Sequence, residues 1–410
     1  MDNNKAIVKK IDYTKCLFLI FCFGLTFVFP IPMIPLEVIG IIFERGKTRK
    51  FFGCLLAFSL AVIAYNWVPS ESMDLYRHHQ QTLSMANFDF EYLGALVAKN
   101  LKPLQYLIEF IVAQTGNYNL LQFIVAFCGY FEIFWLVCDL AEMKKIKRGP
   151  FTILMIYATL TLNYIGFISG LWFYLAVINV ALSIYLSHFR KTKRLHLLFL
   201  VASACLHAGM LYMLLILLAF RKIKLFKKVN LPTMLIVIIA AMSFGVVLTL
   251  LQNLLGSEIA ILDVASDKYE NYFVNGAQYD SLHSGWNLIT SILSILLGLF
   301  LGFWEQKRGK ERDYGSFLVY FTIYILATIL SATVFVRYGF LVILLSLPLV
   351  ADYWAKTFDR DKKLLLTLWI LAVIIPRFYA SVHQAMICGI NDVIINNATS
   401  SIIQDIGERL

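Results

Sequence analysis

Apolar segments of about 17–25 residues recur along the whole 410-residue chain, and that feature leaves few folds open. In hydrocarbon every backbone N–H and C=O must be satisfied internally, and runs of this length do so as helices. Charged residues make up 15% of the chain, against about a quarter in a soluble protein. The sequence therefore predicts an all-α, polytopic membrane protein with about 11–13 crossings. Residues 1–410 read as one integral membrane domain, with outer loops at about 69–118 and 252–285.

The formal charge of +10 could point to nucleic acid, but the basic residues alternate with apolar runs and form no stripe. All but seven of the 36 Lys and Arg residues fall into seven clusters, at 5–15, 45–50, 144–148, 190–194, 221–228, 307–312 and 356–363. The positive-inside rule sets all seven on the cytoplasmic side, so each interval between them must cross an even number of times. Segments 151–168 and 171–186 form one such pair, with Ser169-Gly170 as the outer turn. Segments 317–334 and 340–353 form another, and 364–375 leads to a tail outside from Arg377. Intervals 16–43 and 195–220 are too short for two full crossings. Each has a breaker near its middle, Pro30, Pro32 and Pro35 in one and His207-Ala208-Gly209 in the other, and each is read as a hairpin. Lys5, Lys9, Lys10 and Lys15 imitate a signal peptide, but no small-x-small cleavage site follows and the run is read as retained. The seven cysteines, odd in number and without metal-ligand spacing, read as packing residues.

The seven unclustered cations are Arg77, Lys99, Lys102, Lys268, Arg337, Arg377 and Arg409, and this topology places every one at the outer face. Arg409 belongs to a tail, and Lys99 and Lys102 can snorkel from an interfacial segment at 101–112. Arg77, Arg337 and Arg377 lie at span ends, where a guanidinium can meet an anion at headgroup level. Arg337 is either a snorkelling anchor or a functional group, with Asp74 or a ligand anion as its partner. A diphosphate suits arginine, whose planar fork bonds two oxygens at once.

Around Arg77 the chain places Asp74, Tyr76, His78 and His79 within six residues, just beyond an apolar run. His207 is either a buried histidine bonded to a carbonyl, or a general base or diphosphate donor. The outer loop at 252–285 mixes aromatics with acids and carries Lys268, Tyr269 and His283; it reads as a carbohydrate surface or as a packed cap. Glu132 reads as glue between helices. No P-loop, dinucleotide fingerprint, HExxH or nucleophile elbow is present, which leaves ATP-driven and protease functions without support.

Taken in order, these short segments resemble Wzy-type bacterial polysaccharide polymerases, in particular their EpsG-like group. Asp74-Leu75-Tyr76-Arg77-His78 is similar to that family's outer Asp/Arg/His stretch. Ser169-Gly170-Leu171 is similar to its Ser-Gly-x-Arg segment, Leu206-His207-Ala208-Gly209 to its Phe-His segment, and Arg337-Tyr338 to a late arginine. Trp172 stands where the family often has arginine. The resemblance covers about 50–350 in patches. It implies a GT-C-like glycosyltransferase of the bacterial cytoplasmic (inner) membrane, with its site facing the outside or periplasm. Its donor would be an undecaprenyl-diphosphate-linked oligosaccharide and its acceptor a second lipid-linked repeat unit, in capsule, exopolysaccharide or O-antigen synthesis. No nucleotide, cofactor or metal is expected. Partners would be membrane lipid, a chain-length regulator and a flippase, with no nucleic acid. The implied roles are Arg77 and Arg337 as diphosphate clamps, and His207 or Asp74 as activator of the acceptor hydroxyl. Tyr76, His78, His79, Trp172, Lys268, Tyr269 and His283 would line the substrate. A lipid-linked oligosaccharide flippase, a membrane O-acyltransferase and a non-catalytic assembly subunit remain as alternatives.

Overall fold

The computed structural model describes residues 13–243 apart from 72, 161 and 193, residues 285–394 apart from 309, 310, 330, 391 and 392, and the isolated residues 266 and 270. Among the described residues the regular structure is helical throughout. Six stretches are long and apolar enough to cross a membrane: Gly46–Asn66, Leu120–Met143, Leu171–His188, Asn287–Lys307, Val334–Lys356 and Arg360–Ile387. Four helices are apolar but shorter: Tyr13–Val28, Pro30–Phe43, Leu195–Leu206 and Leu231–Met242. The chain is a polytopic helical membrane protein. Helices are named α1 (Tyr13–Val28), α2 (Pro30–Phe43), α3 (Gly46–Asn66), α4 (Asp74–Met85), α5 (Phe90–Asn100), α6 (Pro103–Thr115), α7 (Leu120–Met143), α8 (Arg148–Leu160) and α9 (Tyr164–Ser169). There follow α10 (Leu171–His188), α11 (Leu195–Leu206), α12 (Gly209–Lys222), α13 (Leu231–Met242), α14 (Gly285–Arg308), α15 (Arg312–Ala327), α16 (Ala332–Lys356) and α17 (Arg360–Ile387).

The breaks between helices have local causes. Pro30 sits in the first turn of α2, where its missing N–H costs nothing, and Phe29 makes the bend. The segment expected as one crossing at 151–168 is instead two helices. Asn163 ends it by capping α9, its side chain accepting from the Gly166 N–H at 3.3 Å. Ser331 caps α16 in the same way through the Val334 N–H. The stretch at 69–118, expected as a loop, folds into α4, α5 and α6.

Helices α10 and α16 form the buried centre of the bundle, with 83% of the apolar window inside the protein in each. Where two backbones touch, a glycine is present. A Cβ on Gly315 of α15 would stand 2.8 Å from the Gly302 carbonyl oxygen of α14, and one on Gly129 of α7 would stand 2.4 Å from the Phe167 ring.

Ion pairs tie described residues of the seven basic stretches into one end of the bundle. Lys15 meets Glu44 at 2.8 Å, so both ends of the α1–α2 hairpin lie together. The buried Asp139 receives Lys50 at 2.7 Å and Arg190 at 2.6 Å, and the Tyr185 hydroxyl donates to it at 2.6 Å. Lys144 and Lys356 share Asp352 at 2.6 and 3.0 Å. Glu305 accepts the Glu311 N–H at 2.9 Å, and Glu311 reaches His188. Lys227 pairs with Asp313. This is the spatial content of the even-crossing pattern: both short intervals, 16–43 and 195–220, are helical hairpins that start and finish at the basic end.

Candidate functional site

At the opposite end, α4 begins with Asp74, an acid well placed in the first turn against the helix dipole. Asp74, Arg77 and His78 recur at i, i+3 and i+4 and so share one face. Tyr76 and His79 fall off that face. The ring of His79 turns to α7, its Nε2 lying 2.8 Å from the buried Gln122 Oε1, and burial pushes its pKa below the ordinary histidine value. Neither residue is among those lining the cavity described next.

The face of α4 looks into a cavity of about 90 Å³. Its other walls are Lys102 and Gln105 from the start of α6, Gly170, Trp172, Phe173 and Tyr174 from the start of α10, His207 and Arg337. His207 occupies the break between α11 and α12, because its backbone is extended and ends α11. Gly209 follows it, and a Cβ there would stand 3.1 Å from the imidazole, so glycine leaves that ring its room. Arg337 stands in the second turn of α16, its guanidinium 5.4 Å from the centre of the Phe173 ring. Phe173 also meets His207 edge to face at 5.3 Å and Tyr338 at 5.6 Å, fixing those side chains relative to one another. Six residues singled out from sequence, Asp74, Arg77, His78, Trp172, His207 and Arg337, thus meet around one space. Lys268, Tyr269 and His283 lie outside the described residues, as does nearly all of the loop at 252–285.

Sequence reasoning missed the group that organises one wall. Glu109 of α6 is fully buried, and its Oε1 accepts from the Trp172 indole N–H at 2.8 Å and from the Gln105 amide at 3.0 Å. His78 Nδ1 lies 3.1 Å from the same oxygen. The signal was an acid inside Leu107-Ile108-Glu109-Phe110-Ile111, a segment read as an interfacial anchor. Arg377 is a second correction. It opens no outer tail, because α17 runs on through Pro376 to Ile387. Arg377 is buried there and donates to Asn287 Oδ1 at 2.5 Å.

Arg77, Lys102 and Arg337 against Asp74 give the lining an excess of positive charge, and Glu109 lies behind it. Arg77 already meets Asp74 at 3.2 Å, with its side chain 72% exposed. The space admits a few waters or a phosphoryl group, not an oligosaccharide, so a larger ligand would extend into the open outer side.

A family model for the EpsG family matches residues 49–390, which includes every residue of this cavity. The chain belongs to the EpsG family. No curated protein and no solved structure matches this chain. Membership in the EpsG family carries a polymerase role in exopolysaccharide synthesis, and the cavity is where Arg77, Lys102, Arg337, His78 and His207 meet.

Proposed function

We propose that this EpsG-family chain polymerises polysaccharide at the outer face of the bacterial cytoplasmic membrane. It would transfer an oligosaccharide from an undecaprenyl-diphosphate carrier to a hydroxyl of a second lipid-linked repeat unit. The observation that carries this is the convergence of Arg77, Lys102, Arg337 and His207 on one cavity at the end remote from the basic clusters. The positive-inside rule makes that end the outer one. A cytoplasmic nucleotide-sugar would not reach it, whereas a flipped lipid-diphosphate glycan would.

Arg77 and Arg337 hold the diphosphate, with His207 donating to it and Lys102 adding charge. Asp74 sets the position of the Arg77 guanidinium. The leaving group is a weakly basic anion, so stabilising its developing charge with fixed donors supplies much of the rate. The carrier's isoprenoid stays in the bilayer, beside the exposed apolar faces of α11 and α12, where Leu198, Val201 and Leu215 point outward. A flippase that delivers the substrate and a chain-length regulator are the partners this chemistry calls for.

The test is reconstitution. Purified protein in nanodiscs receives lipid-linked oligosaccharide extracted from cells deleted for this gene, and products are resolved by size. Polymerisation gives a ladder of lengthened glycan with release of lipid diphosphate. Substrate that crosses the bilayer unlengthened would identify a flippase instead and overturn the proposal.

A further inference from the structure

The catalytic base of a glycosyl transfer must accept a proton at a defined atom. Among the residues around the cavity, His78 has its protonation pattern written into its contacts. Its Nδ1 lies 3.1 Å from Glu109 Oε1, an oxygen that also takes the indole N–H of Trp172 and the amide of Gln105. An oxygen that already accepts two N–H groups is the acceptor in this contact as well, which assigns the hydrogen to Nδ1. Nε2 is then the lone-pair nitrogen of the neutral ring, and His78 is one of the residues lining the cavity. The second oxygen, Glu109 Oε2, is buried and has no hydrogen-bond partner among the described residues. A fully buried acid beside an imidazole, with three polar contacts gathered on one of its oxygens, is a costly arrangement for packing alone.

We propose that Glu109 and His78 form a dyad in which His78 Nε2 is the general base toward the acceptor hydroxyl and Glu109 is its positioning residue. The inference rests on the polymerase function proposed above. The acceptor oxygen forms a bond to the anomeric carbon of the donor sugar. The bond from that carbon to the diphosphate oxygen breaks, and its electron pair leaves with the diphosphate. The hydroxyl proton passes to Nε2, and the resulting imidazolium is held against Glu109 until it gives the proton to water. Glu109 thereby fixes the tautomer before reaction and balances the charge during it. Trp172 and Gln105 hold the carboxyl in place from either side.

Two measurements test the dyad on the full-length protein. The first needs no substrate: nitrogen NMR of the ¹⁵N-histidine-labelled protein in lipid bilayers, with the His78 signals identified by their loss in His78→Asn. Protonation at Nδ1 is expected at neutral pH, and an Nε2–H tautomer would overturn the proposal. The second is kinetic, with lipid-linked oligosaccharide extracted from gene-deleted cells as the probe. Glu109→Gln keeps the size and an acceptor oxygen, so folding is preserved and checked by gel filtration. Its kcat should fall at least tenfold with KM within about twofold. His78→Asn should fall as far, and the double variant no further than the worse single one. A Glu109→Gln enzyme with native kcat, or a loss confined to KM, would leave Glu109 as packing and overturn the dyad. A wild-type protein that lengthens nothing overturns the polymerase function as well, and is told apart from failure of the dyad alone by the native control.

Discussion

Replacing Arg337 by lysine keeps the charge in the cavity wall and removes only the planar fork, so it isolates what the guanidinium does. Two contributions can be lost. The first is the contact with the Phe173 ring, whose centre lies 5.4 Å from the guanidinium carbon. Such contacts contribute about 0.5–1 kcal/mol at partly exposed sites, and lysine retains part of that. The second is a charge-assisted, two-point grip on a leaving diphosphate, which is worth about 2–4 kcal/mol when it acts on developing charge. At about 1.4 kcal/mol per tenfold, loss of the ring contact alone slows turnover by no more than about fivefold, and loss of the grip by roughly 30- to 900-fold. The two ranges do not overlap. Arg77 gives an internal comparison. Its side chain is 72% exposed and already meets Asp74, so water screens it and Arg77→Lys should cost less, about tenfold. The assay is lengthening of extracted lipid-linked oligosaccharide by each purified variant in nanodiscs, read as kcat. An Arg337→Lys enzyme within fivefold of wild type would refute the diphosphate grip and leave Arg337 as a packing cation.

Three further outcomes are expected. Cysteine at Ser84, exposed on α4, should react in intact cells with an impermeant thiol reagent, while cysteine at Lys191 in the basic end should not; labelling of the second would invert the topology. His207→Ala should leave the protein level unchanged and cause lipid-linked single repeats to accumulate, measured by mass spectrometry of extracted lipids. Gly315→Ala places a methyl group 2.8 Å from the Gly302 carbonyl oxygen and 2.9 Å from the Gln306 nitrogen, both backbone atoms that no rotamer change relieves. It should cost about 1–3 kcal/mol and lower the thermal midpoint in detergent, with a native midpoint arguing against that close approach.

Polar residues in an apolar chain are conspicuous, and that is why much of the cavity was legible. Asp74, Arg77, His78, His207 and Arg337 each interrupt an apolar context, and the fold collects all five. The same conspicuousness misled where local geometry decides. His79 was grouped with His78 because the two are adjacent, yet successive helical residues point about 100° apart, and His79 turns to Gln122. The crossing read at 364–375 stops short of Pro376, but a membrane helix can carry a proline when neighbours satisfy the backbone, and α17 continues to Ile387. Glu109 was hidden for another reason. Its importance lies in Trp172 and His78 coming to it from α10 and α4, and nothing in the order of residues announces a contact 63 positions away.

The hairpin that carries His207 has a mechanical consequence for the surrounding lipid. Helix α11 has 12 residues, so it rises only about 18 Å from the basic end, against about 30 Å of hydrocarbon. Apolar side chains of α11 and α12 face outward over that short height. Acyl chains beside them meet an apolar face shorter than the hydrocarbon, a mismatch that thinning of the bilayer toward the hairpin tip would relieve. Such thinning would bring phosphates of the outer leaflet toward the depth at which His207 and Arg337 wait. A carrier lipid would then slide downhill to its site instead of being lifted out, and membranes of longer acyl chains should slow the enzyme by flattening the slope.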